Sequence, residues 1–166
     1  MARRNKLESA NETANAFIGI ATLHRDYKLV HYLNVHLGIE LTNEEDLPVY
    51  NSKSDSLTYF PFFSYHHPDL RTDLHLIANN SGISLLVPSL KQISYFLLIQ
   101  GAAYQQHIDS MIASIRKIPG VQAALSVNQS GIKEMASLME DLELHLIELK
   151  KKADDNNLRI YKKDEE

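Results

Sequence analysis

The run Tyr95-Phe96-Leu97-Leu98-Ile99 is apolar at every position and leaves no side for water. Successive side chains of a strand point to opposite faces, so an unbroken apolar strand needs cover on both faces of its sheet. The run closes the most hydrophobic part of the chain, Ile83 to Gly101, in which two apolar segments meet at Val87-Pro88-Ser89. This stretch must supply a core strand. Two helices earlier in the fold can cover one face, and the other face needs the last helix or a second subunit.

The remaining composition sets outer bounds. A chain of 166 residues suits one domain with an appended element. Apolar residues make up 44% and charged residues 23%, as in ordinary globular proteins. The net charge of −4 offers no global attraction to nucleic acid or anionic lipid, so a nucleic-acid partner is not expected. Without cysteine there is no disulfide, thiolate metal site or cysteine nucleophile. The basic start Met1 to Lys6 runs into polar Leu7 to Thr13 instead of the apolar stretch of a signal peptide. No segment approaches the roughly 18 consecutive apolar residues of a membrane span. The expectation is a soluble, cytoplasmic protein with no membrane contact.

Along the chain, residues 1–14 read as a disordered lead-in, 15–129 as the folded domain, 130–152 as an appended helix and 153–166 as a disordered tail. Ala16 to Ala21 suits a first strand. His24 to Leu37 reads as a helix with Leu23, Tyr27, Val30, Leu33 and Leu37 inward, ended by Gly38. Leu41 to Ser56 is polar enough to be a surface connection. Leu57 to Tyr65 is an aromatic strand whose Pro61 demands an edge position or a bulge. His66 to Asp69 turns the chain, and Leu70 to Leu76 alternates like a strand with one wet face. Asn79-Asn80-Ser81-Gly82 is turn chemistry that sends the chain back through Ile83 to Gly101 as a hairpin.

Tyr104, Ile108, Met111, Ile112 and Ile115 recur at helical spacing as far as Arg116. Ile118-Pro119-Gly120 breaks that helix, and Val121, Ala123, Leu125 and Val127 alternate as a strand. Strand, helix and strand in this order predict a right-handed crossover between parallel strands. The last helix runs from an N-cap at Ser130 to Lys152. Its Ile132, Met135, Met139, Leu142, Leu146 and Leu149 form a heptad seam. The fold class expected is α+β: a mixed, mainly antiparallel sheet with two helices on one face, ferredoxin-like βαβ elements, and a long C-terminal amphipathic helix.

Val87-Pro88-Ser89, Leu90-Lys91-Gln92 and Ile93-Ser94-Tyr95 occupy the nine positions of the signature Ile-Pro-Glu, three residues, Val-Asp-Tyr. Phe96 to Gly101 resembles the strand that follows it, and Ile118-Pro119-Gly120-Val121-Gln122-Ala123-Ala124 a downstream turn. Asp26 to Leu29, Asn34 and Leu37-Gly38-Ile39 add to the likeness. The chain thus resembles the IPExxxVDY family of Bacteroidota proteins over residues 16 to 127. Ser89 and Ser94 stand where the family carries glutamate and aspartate, and the last helix extends beyond its pattern. The family brings no established activity. Serine at such a turn still accepts hydrogen bonds from free backbone amides, so the motif reads as architecture.

Candidate chemistry is sparse. His66, Asp73 and His75 are the candidates for a metal site, within a cluster that includes His67 and Asp69, but His66 and His67 point to opposite faces of a strand. The spacing matches no established zinc motif. His24, His31, His36, His107 and His145 read as solvated or half-buried helix positions. Ser89 and Ser94 lack the glycine-flanked elbow of a hydrolase nucleophile, and the 6 glycines are too scattered for a phosphate loop. No cofactor, metal or catalytic residue is expected. The leading expectation is a non-catalytic protein-binding or regulatory module, a homodimer through the seam Met135, Met139, Leu142, Leu146 and Leu149 or through the aromatic edge Tyr59, Phe63 and Tyr65. A small-ligand sensor at a subunit interface comes next, and a metal-dependent hydrolase third.

Overall fold

The structure, a computed structural model, describes residues 15–164; the expected lead-in lies outside them. The elements are β1 (Asn15–Thr22), α1 (Asp26–Leu37), β2 (Thr42–Asn51), β3 (Ser56–His67), β4 (Thr72–Ala78), β5 (Tyr95–Gln100), α2 (Ile108–Arg116), β6 (Val121–Val127) and α3 (Lys133–Asp164). The strands form one 6-stranded sheet in the order β2-β3-β4-β5-β1-β6. Every neighbouring pair is antiparallel. This is the expected α+β class. Because β5 and β6 both run antiparallel to β1, they are parallel to each other, with β1 between them.

The apolar run is β5, placed inside the sheet between β4 and β1, and all of Tyr95 to Ile99 is buried. Leu97 and Ile99, with Ile18, Ile20, Leu74 and Leu76, pack beneath Leu29 and Leu33 of α1 and Met111 and Ile115 of α2. Phe96 and Leu98, with Phe17, Phe62 and Ile77, pack beneath Met135, Leu138 and Leu142 of α3. Full burial of each such side chain contributes about 1.5–3 kcal/mol, so both layers are substantial. The cover that β5 requires comes from its own chain.

Several expectations need correction. Leu41 to Ser56 is not a connection: it holds edge strand β2, paired along β3. Of its residues Leu47 is fully buried, while Glu44, Glu45 and Asp46 give the edge the charge that discourages further strand pairing. With β2 outside it, β3 is interior. Its Pro61 faces the register shift between Glu44 and Leu47, so the proline marks a bulge and not an edge. β3 also continues through the expected turn to His67.

β4 has no wet face; Thr72 and every residue from Leu74 to Ala78 are buried. It pairs with β5 as expected, but the segment between them is irregular. Ile83 to Leu90 contributes only the bridge Asn80–Leu85 and a short 3-10 turn, Pro88–Leu90. α1 buries Leu29, Val30 and Leu33, whereas Leu23 is 90% exposed and Tyr27 is exposed as well. The segment Ala102–His107 is a 3-10 turn ahead of α2. Ser130 belongs to another such turn, Gln129–Gly131, so it does not cap α3, which continues past Lys152 through the expected tail to Asp164.

Candidate functional site

The signature segment is tied to the corner between β1 and α1. Asn79, at the end of β4, is wholly buried. Its Oδ1 accepts from the Val87 amide at 2.7 Å, and its Nδ2 donates to the carbonyls of Leu90 at 3.1 Å and Ile93 at 2.8 Å. One side chain thereby fixes the irregular stretch on which the motif lies. Sequence reading assigned Asn79 to a turn and missed this role; the signal was an asparagine between apolar runs.

Ser94 then reaches β1. Its backbone amide donates to the Ile20 carbonyl, and its Oγ accepts from the Thr22 amide and donates to the Thr22 carbonyl. The Tyr95 hydroxyl donates to the His24 carbonyl at 2.9 Å. Burial, and secondarily the Asp26 carboxylate, push that hydroxyl up to about 12, so it stays a donor at neutral pH. From the other side, Thr22 Oγ1 donates to the Gly120 carbonyl at 2.8 Å and His24 Nε2 donates to the Pro119 carbonyl at 2.5 Å. Gly120 has φ 86°, and a Cβ there would collide with the His24 ring at Nε2. Ser89 donates to Glu134 of α3 at 3.3 Å. These positions hold segments together, and their polar groups are spent on one another.

A second place carries more chemistry. Thr42, Glu44, Ser64, His66, Asp73 and His75 line a polar concavity of about 370 Å³ on the α3 side of the sheet. The structure brings the three predicted metal candidates onto one face but divides them between two pairs. His66 Nδ1 meets Asp73 Oδ1 at 2.5 Å in the open, while His75 Nδ1 and Ser64 Oγ share a hydrogen bond of 2.7 Å. His75 is only 4% exposed, with its ring stacked on Phe62 at 5.4 Å. Its Nε2 is buried with no hydrogen-bond partner among the described residues, although the Gln100 side chain approaches it. Burial pushes His75 down to about 4, against the upward pull of the Asp73 carboxylate.

The chemistry open to this concavity is limited. Among the described residues, no group of three or more histidine, aspartate or glutamate side chains is placed to hold a metal ion. The Ser64–His75 contact has the partners of a nucleophile and its base, but a histidine held near 4 is a weak proton acceptor at neutral pH. Ser64 also sits between paired strands, where the ladders to Thr42 and His75 occupy the backbone. Strand pairing thus engages the backbone that an oxyanion hole would draw on.

The predicted partner residues divide. Met135 and Leu142 are buried against the sheet of their own chain, and Met139, Leu146 and Leu149 pack partly buried beside them. The seam is therefore intramolecular, a correction with a simple cause: apolar spacings of 3 and 4 suit a helix lying on a sheet as well as a coiled coil. Phe63 is buried and Tyr65 half-buried under the α1–α2 layer. Tyr59 alone of the aromatic set stands open, 55% exposed, beside Leu57 at 53% and Tyr50 at 57%. Tyr50 pairs with Leu57 and Pro48 with Tyr59, which puts these side chains on one face of the edge hairpin. Tyr50 and Leu57 were missed because nothing in their local pattern marks exposure.

No family model, no curated protein and no solved structure matches the chain. Among the described residues no helix is long and apolar enough to cross a membrane.

Proposed function

We propose that this chain is a non-catalytic protein-binding module that self-associates through its edge hairpin, and that it is a divergent member of the IPExxxVDY family. The observation that carries the reading is the apolar face Tyr50, Leu57 and Tyr59, each more than half exposed on neighbouring strands. A contiguous apolar face rimmed by polar residues is the usual mark of a contact surface, and a two-fold pairing would bury it against itself. Kinship with the family is supported by the ordered likeness of Val87 to Gly101 and Ile118 to Ala124 to its motif and downstream turn. A second reading, ligand sensing at a subunit interface, draws support from the polar concavity beside the same edge strand. Light scattering tests the leading reading. The wild-type chain is expected above monomer mass and a Leu57→Ser/Tyr59→Ser variant at monomer mass; a monomeric wild type would refute self-association.

A further inference from the structure

Two buried histidines flank one phenylalanine in the layer that joins α3 to the sheet. His75 of β4 stacks on Phe62 of β3 at 5.4 Å, and His145 of α3 meets the same ring edge-on at 5.1 Å. His145 is 5% exposed, and its Nε2 donates to the Glu45 carbonyl in the β2 bulge at 2.8 Å. We propose that this His75–Phe62–His145 layer is an acid-sensitive latch whose protonation releases α3 from the sheet.

The geometry supplies the reason. A charged His75 carries N–H groups at both ring nitrogens; Ser64 serves Nδ1, but Nε2 is buried and makes no hydrogen bond among the described residues, with the Gln100 side chain the nearby polar group. The Asp73 carboxylate and the Gln100 side chain relieve that charge only in part, and burial outweighs them. On β4 and β3, Asp73 is already bonded to His66; on β2, Glu45 is bonded to Lys152 of α3, and Glu44 lies on the open rim. Asp141 and Glu148 stand one helical turn from His145 on α3 itself, on the far side of Phe62 from His75. The sheet strands are held by ladders on both sides of His75, whereas α3 is held mainly by side-chain packing. Lifting the helix is the motion that hydrates the imidazole, and it uncovers Met135, Met139, Leu142, Leu146 and Leu149.

Hydrogen exchange resolved by peptide, corrected for intrinsic rates, tests this on the full chain. Below about pH 6.5, the ordinary histidine range, protection of α3 amides should fall by up to about tenfold per pH unit. Protection of β4, β5 and α1 should change far less over the same range. His75→Phe, or His75→Gln should the first variant fail to fold, should remove the pH slope in α3. The proposal is overturned if α3 and the sheet lose protection together, if α3 protection is flat with pH, or if the variants keep the wild-type slope.

Discussion

Ser94 and Thr22, 72 residues apart in sequence, are joined by two hydrogen bonds through a single hydroxyl. Ser94 Oγ accepts from the Thr22 amide at 3.0 Å and donates to the Thr22 carbonyl at 2.8 Å. A carboxylate at this position accepts but does not donate, so serine is chemically fitted to the place it holds here. Ser94→Ala leaves both backbone groups unsatisfied in a half-buried corner and should cost about 1–3 kcal/mol, read from the urea midpoint. An unchanged midpoint would show that water replaces the hydroxyl at no cost.

Asn79 is the more severe case. Asn79→Ala orphans the Val87 amide and the Ile93 carbonyl in a buried site, while the Leu90 carbonyl keeps the Ile93 amide as a donor. With about 1–3 kcal/mol for each unsatisfied group, the loss should reach at least about 2 kcal/mol. Thermal denaturation should show it as the largest single effect among polar substitutions in the motif region.

Gly120 joins steric and backbone demands. Gly120→Ala meets His24 and forces alanine to φ 86°, and the backbone alone should cost about 1–3 kcal/mol. Adding His24→Ala removes the clash but not the strain. The double variant should recover part of the stability in a thermal melt, and full recovery would place the entire cost in the contact.

The stability of the chain should depend on pH through His75. Its folded value of about 4 lies below the ordinary histidine value of about 6.5, so in this interval the unfolded chain binds more protons. The stabilisation is complete above the unfolded value and is lost as pH falls through the folded one, about 3 kcal/mol in all. Urea titrations of the wild type and His75→Phe at neutral pH and at about pH 4 should differ by this amount, since the shared carboxylates cancel in the comparison.

The two faces of α3 should respond differently. Leu142→Ala empties a fully buried site and should cost about 2–5 kcal/mol, while Leu144→Ser on the outer face should stay within about 0.5 kcal/mol. Equal effects in chemical denaturation would mean that the seam is not packed as described.

Much of the fold was legible because it rests on local apolar pattern. Tyr95 to Ile99 required two-sided cover, and the spacing from Met135 to Leu149 marked the buried stripe of α3. What sequence left open was the partner of that stripe, since the same period serves a sheet or a second helix. β2 escaped because an edge strand is held by backbone pairing, and Glu44, Glu45 and Asp46 hide it among polar residues. His75 read as wet because Asp73 beside it is polar, whereas burial there depends on a helix about 70 residues away in sequence. Tyr50 and Leu57 read as ordinary hairpin residues, and their exposure follows from where α1 and α2 stop covering the sheet.

The central claim is that α3 lies on the sheet of its own chain, leaving the edge hairpin as the surface for a partner. The contact between Glu45 and Lys152 offers a direct test, because the chain has no cysteine of its own. Cysteines placed at both positions and joined by a short bismaleimide at high dilution should give an internally linked monomer, mapped by mass spectrometry. Linkage found only between chains, or formed equally well by mixing the two single-cysteine variants, would contradict it.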